Sequence, residues 1–161
     1  MRVVSKLGLG FFLLSLVAAW GCSKPALYGS TMESPPMVHY FDVPPQEAFR
    51  AAKESLLFRG YSIKQEDAQN FTLETYWQAT TADSHYVEVF RRKDYGTVGA
   101  YYRLFVKIKP RNNGSSVSIT NVAKSFISNV KSSQREETEV MDKIADFTRK
   151  RDIQVTNIGL Q

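Results

Sequence analysis

Cysteine is almost absent from this chain: Cys22 is the only one in 161 residues. No intramolecular disulfide can form, even in an oxidising compartment, so the core has to hold by packing. At this length packing suffices, because roughly two thirds of the chain's surface is buried on folding. Histidine is scarce as well. His39 and His85 stand alone, with no Cys-x-x-Cys or His-Glu-x-x-His pattern around them, so both read as ordinary strand positions and no metal site is expected. No serine sits in a Gly-x-Ser-x-Gly elbow. Lys93-Asp94-Tyr95-Gly96-Thr97-Val98-Gly99 has two glycines three apart but lacks a Gly-Lys-Ser/Thr ending and leads into a strand. It is expected to be a hairpin loop and not a phosphate cradle. The acid pairs Glu66-Asp67 and Glu136-Glu137 fall at a hairpin turn and a helix start, where they shape the turn and complement the dipole. A pair of acids set for glycoside hydrolysis finds no support, since their separation in space cannot be read here. Neither enzymatic chemistry nor a cofactor is expected.

Charge excludes another class. The formal net charge is +5, and residues 1–21 hold two of the cations (Arg2 and Lys6) and no acid, which leaves about +3 on the remainder. Those cations are interspersed with acids, whereas nucleic-acid binding needs them clustered on one face. No nucleic-acid partner is expected. A mildly basic surface can instead face anionic lipids or head groups.

The N-terminus is the informative segment. Arg2 and Lys6 precede an apolar stretch from Leu7 to Ala19, and the small residues Ala18, Ala19 and Gly21 lead to Cys22. These are the charged, hydrophobic and small-residue regions of a secretory signal. The stretch is short of the about 20 residues that a membrane span needs, and no second apolar run approaches that length. An uncleaved anchor extended by Trp20 is the rival reading. The run Ala19-Trp20-Gly21-Cys22 resembles the lipobox of bacterial lipoproteins, with Gly favoured before the cysteine and Trp20 unusual. That resemblance implies acylation of Cys22, traceable as incorporated palmitate, and cleavage just before it. Residues 1–21 are then a signal peptide, 22–37 a lipidated tether and 38–161 one periplasmic domain. Ser23, after the cysteine, is the residue type that in many Gram-negative lipoproteins permits sorting to the outer membrane.

Beyond the tether, with Pro25, Gly29, Pro35 and Pro36, the periodicity predicts an α+β domain. Val38–Phe41 is expected as a strand. Asp42-Val43-Pro44-Pro45 starts a helix that runs to about Arg59, with Phe49, Ala52 and Leu56 on one stripe and Gly60 closing it. Strands follow over 61–66, 71–77, 85–92, 100–109 and 117–123. In the fourth of these Ala100, Tyr102, Leu104, Val106 and Ile108 form the inward set, and an Asn113-Gly114 turn links it to the fifth. Residues 124–133 are a polar connector whose Phe126, Ile127 and Val130 are placed to dock on the core edge. A second helix spans about 134–151, with Val140, Met141, Ile144 and Phe147 inward, and a last short strand over 153–158 is an option. The predicted order β-α-β-β-β-β-α forms a two-layer sandwich, an antiparallel sheet with two helices on one face.

Two surface features are candidate contact sites. Arg91, Arg92 and Lys93 with Tyr95 form the sharpest basic-aromatic cluster, suited to lipid head groups, peptidoglycan carboxylates or an acidic partner, or simply a solvated hairpin tip. Tyr76, Tyr101 and Phe105 are expected on the open sheet face, as a partner surface or as cross-strand pairs that stiffen the sheet. With the lipobox and tether, the β-α-β-β-β-β-α domain is similar to the helix-grip domains of BamC, a lipoprotein accessory of the outer-membrane β-barrel assembly machinery. The residues closest to it are 38–77, with the helix end Leu56-Leu57-Phe58-Arg59-Gly60-Tyr61-Ser62-Ile63, the acidic turn Glu66-Asp67 and the strand Leu73–Trp77. This resemblance implies a non-enzymatic accessory of an outer-membrane protein complex, anchored by its lipid and facing the periplasm. The alternative is a lipid- or glycan-binding module that uses the 91–95 loop.

Overall fold

Two long strands, β8 (Tyr101–Arg111) and β9 (Gly114–Ser125), carry the architecture of this computed structural model, which describes residues 27–95 and 99–152. They pair antiparallel from Tyr101↔Lys124 to Arg111↔Gly114 around the turn Asn112-Asn113. Alternation along β8 buries Tyr102, Leu104, Val106 and Ile108 and leaves Tyr101, Phe105 and Lys107 exposed, as the period-two pattern requires. On β9 the inward set is Ser115, Val117, Ile119, Asn121, Ala123 and Ser125. Val117 and Ile119 are apolar, whereas Asn121 and Ser125 bring polar side chains to the second half of β9, where the site described below lies.

The remaining elements arrange themselves on this pair. β1 (Ser30–Glu33) and β2 (Met37–Phe41) lie one after the other along the outer side of β9. β3 (Ile63–Asp67), β4 (Thr72–Thr75) and β5 (Gln78–Ala79) extend the sheet on the β8 side. Helix α1 (Pro45–Phe58) sits between β2 and β3 in sequence, and α2 (Arg135–Asp152) ends the described chain. Both helices pack on the same sheet face. Ala48, Ala52 and Leu56 of α1 and Val140, Met141 and Ile144 of α2 share one core with Leu73, Leu104, Val106, Val117 and Ile119. The fold is thus α+β, an antiparallel sheet with two helices on one side. A second, smaller sheet has the order β10-β6-β7, from β6 (His85–Val89), β7 (Arg92–Asp94) and β10 (Val130–Ser132). Val87 and Val130 dock it on Ala100 and Ala123.

Helix α1 ends as its sequence predicts. Gly60 takes φ +82°, so Gly60 N–H reaches the Leu57 carbonyl at 3.0 Å and Tyr61 N–H the Leu56 carbonyl at 2.9 Å. That double closure turns the Tyr61 ring inward. The helix start differs: Pro44 holds the cap position, Pro45 follows it, and no side chain, Asp42 included, caps the first turn.

Four further expectations change. The tether is not irregular throughout, because Ser30–Glu33 pairs with Val122–Ser125 and extends the sheet. The strand expected over 85–92 is broken at Phe90-Arg91, both with positive φ (47° and 64°), which turn the chain into β7. Arg92 and Lys93 are therefore strand residues beyond a tight turn, and only Arg91 is at the tip. The expected strand over 71–77 stops at Thr75, where Tyr76 N–H bonds the Ser62 carbonyl, and resumes as β5. Within the 124–133 connector β9 continues to Ser125 and Val130 docks, but Phe126 and Ile127 point into solvent and not onto the core edge. Cys22, the signal segment and the optional strand over 153–158 lie outside the described residues.

Candidate functional site

The chemically capable side chains converge where the first turn of α2 meets the polar half of β9. Gln134 N–H is bonded to Ser132 Oγ at 2.9 Å, so β10 caps the helix as it leaves the small sheet. Ser132 Oγ donates to Glu137 Oε1 at 2.7 Å and receives Asn121 Nδ2 at 3.4 Å. Asn121 Oδ1 faces His85 Nε2 at 3.1 Å, and His85 Nδ1 is 2.9 Å from Ser84 Oγ. With its amide nitrogen toward Ser132, Asn121 assigns the imidazole proton to Nε2. Burial pushes the His85 pKa below its ordinary value, against the opposing pull of the Asn121 bond and the Glu137 and Glu136 charges. The ring is therefore neutral at pH 7. Glu137 is 1% exposed, and its second oxygen has no hydrogen-bond partner among the described residues.

A second branch lies beside the first, since the His85 ring sits 5.0 Å from that of Tyr102. Tyr61 donates to Glu136 Oε2 at 2.7 Å, and the Tyr61 and Tyr102 hydroxyls are 3.0 Å apart. Because Tyr61 has one proton and spends it on the carboxylate, Tyr102 must donate to Tyr61. Arg59 lies 3.6 Å from the same carboxylate oxygen and is ion-paired with Glu139. Burial, reinforced by its hydrogen-bonded neighbours, drives the Tyr61 phenol far above its usual range, and burial pushes Tyr102 up to about 12. Both phenols stay protonated at any physiological pH.

Such groups could perform proton transfer only if a substrate reached them. Ser84 and His85 have the spacing of a nucleophile and its base, but Ser84 is fully buried and its Oγ accepts the Thr81 N–H at 2.9 Å, which closes the turn. Ser132 borders a cleft of about 470 Å³ that Glu33, Tyr86, Lys93 and Lys131 also line. The network acts as a clamp that joins α2, β9 and the small sheet. Glu136 and Glu137 do lie in the first turn of α2, where they favour its dipole, and they also turn inward as part of this clamp. No group of three or more His, Cys, Asp or Glu among the described residues could hold a metal ion. His39 is exposed on β2, and Asp67 shapes its turn by accepting the Gln69 and Asn70 amides at 3.0 Å. Glu66, its neighbour, pairs with Lys53 at 2.7 Å.

The surface candidates fall into separate groups. Lys93 and Tyr95 lie on the outer face of the small sheet, with the Lys93 ammonium 4.9 Å from the Tyr86 ring centre and the Tyr86 and Tyr95 rings 5.4 Å apart. Arg91 and Arg92 follow Phe90, which at 97% exposure is the most exposed large apolar side chain described. Tyr101 and Phe105 belong to the larger sheet, away from this cluster, on its open face. Their cross-strand neighbours are Lys124 and Ala79 for Tyr101, and Thr120 and Glu74 for Phe105, so neither forms an aromatic stiffening pair. Phe105 lines a cleft of about 420 Å³ with Glu33, Glu74, Arg103, Thr120 and Val122, and Arg103 lies over the Trp77 ring at 4.7 Å. No local pattern in the sequence brings the members of the clamp around His85 together, since they come from the separate segments 84–85, 121 and 132–137.

No family model and no curated protein matches the sequence. The chain is similar in structure to Ara h 8.0201, at 7% identity and TM-score 0.48, over 74% of this chain and 99% of that one. It is similar to an uncharacterized protein from Rhizobium leguminosarum at 12% identity and TM-score 0.39, over 75% and 97% of the two chains. A protein from Thermus thermophilus gives 13% identity and TM-score 0.39, over 74% and 99%. At these identities and scores the likeness carries no function across to this chain.

Proposed function

We propose that this chain is a non-enzymatic envelope lipoprotein, anchored through an acylated Cys22 and serving as an accessory component of an outer-membrane protein complex. The observation that favours a protein-contact role is the open face of the large sheet. Tyr101 and Phe105 stand there partly exposed among Lys107, Arg103 and Glu74, without aromatic cross-strand partners. Partly exposed aromatics ringed by charge are the usual anchors of a protein interface. The buried His85, Asn121 and Glu137 side chains instead link the small sheet, β9 and the start of α2. Confinement supplies the mechanism: an anchor in the same membrane turns a weak encounter into a local one at high effective concentration.

The test is an affinity capture of the full chain from detergent-solubilised envelopes, with palmitate labelling alongside. A stoichiometric partner is expected, and Tyr101→Ser with Phe105→Ser should lower its recovery about thirtyfold, the loss of one interface hot spot. Recovery of no partner, or of one indifferent to both substitutions, overturns the complex. A Cys22→Ser chain that still takes up palmitate overturns the anchor.

A further inference from the structure

The two most exposed large apolar side chains among the described residues, Phe90 and Phe126, both lie in loops that border the small sheet. Phe90 forms the tip of the β6–β7 turn, and Phe126 and Ile127 begin the loop that leads into β10. Because β10 pairs with β6 in the register Val130↔Val87, that loop runs back alongside the Phe90 turn. Tyr28 joins them, its ring stacked on Phe126 with centroids 6.3 Å apart and planes 22° from parallel. Gly29 makes the stack possible. A Cβ there would stand 2.2 Å from the Ser125 carbonyl oxygen, and φ is +112°. Phe126 is 79% and Tyr28 67% exposed, so the cluster is uncovered by the fold. Arg91 sits in the same turn and Arg92 opens β7 directly after it, and the nearby acid Glu88 is paired with Lys131 at 2.7 Å.

We propose that this end of the domain is a membrane-docking surface: Phe90, Phe126, Ile127 and Tyr28 enter the interface of an anionic phospholipid bilayer, with Arg91 and Arg92 on its head-group phosphates. Two observations select a bilayer over a protein. The cluster is a set of separate protruding tips with adjacent cations, the arrangement that suits a soft interface between water and acyl chains. It also lies where the chain comes from the membrane. Cys22 is six residues before Tyr28, and six residues span about 20 Å at most. A lipid on Cys22 therefore holds this tip within about 20 Å of the bilayer. The orientation rests on the anchor proposed above, whereas the tip's own affinity for lipid does not.

The experiment has two arms. In the first, a chain beginning at Ser23, which keeps every described element, is floated with phosphatidylethanolamine vesicles holding 30% phosphatidylglycerol. Binding is expected at 50 mM salt and should weaken as salt rises. Arg91→Gln with Arg92→Gln should weaken it about thirtyfold, and Phe90→Ser at least about tenfold. Tyr101→Ser with Phe105→Ser should leave it unchanged. Absence of binding, or binding indifferent to the tip substitutions, overturns the proposal. In the second arm the acylated full chain carries an environment-sensitive fluorophore at Phe90→Cys, or at Tyr76→Cys as control. A blue shift on vesicles at 90 and none at 76 supports docking. A chain that floats with its label at 90 still in water overturns docking and leaves the anchor standing. A chain that does not float overturns the anchor and leaves the first arm to decide docking. A label shielded by envelope protein extract and not by vesicles makes the tip a protein contact, which also overturns the proposal.

Discussion

Removing one oxygen, in Tyr61→Phe, should cost this fold more than its position near a helix end suggests. The hydroxyl receives the Tyr102 hydroxyl at 3.0 Å and donates to Glu136 Oε2 at 2.7 Å, so it is the middle link of a directed chain. Its loss takes a charge-assisted bond from Glu136, worth about 1.5–3 kcal/mol, and leaves the Tyr102 proton without an acceptor, worth about 1 kcal/mol more. Glu136 keeps Arg59 at 3.6 Å and some solvent contact, so the lower part of that range applies. The expected loss is about 3 kcal/mol, or roughly 10 °C in Tm for a domain of this size. Tyr102→Phe removes only the terminal bond and should cost about 1 kcal/mol. In the double variant that bond cannot be lost twice, so the total should stay near 3 kcal/mol, a coupling of about 1 kcal/mol. Urea unfolding at pH 7, followed by far-ultraviolet circular dichroism, measures all four corners of the cycle. A loss below about 0.5 kcal/mol for Tyr61→Phe, or strictly additive losses, refutes the chain. Alkaline titration gives a second reading. Both phenols are raised above the ordinary value of 10.0, so the stability they contribute is fully present below pH 10 and is lost as pH climbs toward their folded-state values. Phenolate absorbance from these two residues should therefore appear together with unfolding.

Other perturbations test the remaining parts. The His85 pKa is lowered by burial, so its neutral form stabilises the fold fully above pH 6.5 and that contribution declines as pH falls below it. Thermal scans from pH 7.5 to 5 should show this slope, and His85→Gln should flatten it. An unchanged profile would place the acid sensitivity elsewhere. Leu104→Ala, at a fully buried position in the central strand, should cost about 3–4 kcal/mol in the same urea assay, and a cost below 1.5 kcal/mol would mean that the core collapses into the gap. Gly29→Ala should release β1 from β9, raising amide exchange at Ser30–Glu33 while protection at Val117 and Ile119 persists. Equal protection in both segments would contradict the close approach at Ser125.

Periodicity carried most of the framework. The inward set of β8, the apolar stripes of both helices and the glycine closure of α1 follow from spacing alone, because each is a local consequence of backbone geometry. The Phe90-Arg91 turn escaped because neither residue is one that favours positive φ, so no turn chemistry marked it. β1 escaped because Pro35 and Pro36 make its surroundings read as a linker. The clamp divides in the same way. Glu137 lies on the helical stripe of Val140, Met141 and Ile144, so its burial was legible in principle and was masked by the simpler dipole role. That it meets His85 and Asn121 depends on how β6, β9 and β10 stack, which no local pattern encodes. The exposed Phe126 likewise read as a core residue, since its type and not its surroundings was all the sequence showed.

The outer strands of the large sheet have one further consequence, for how this protein behaves when crowded. A free sheet edge is a template on which another chain can add itself, and a crowded membrane surface favours such growth. Along the β9 side the edge is interrupted between β1 and β2 at Pro35-Pro36, which offer no N–H to an incoming strand. On the far side β3 displays Lys64 and Glu66 and has an irregular register between Ile63 and Gln65. Both borders are thus poor seeds for aggregation. The prolines that disguise β1 as a linker are the same residues that keep its edge from recruiting neighbours.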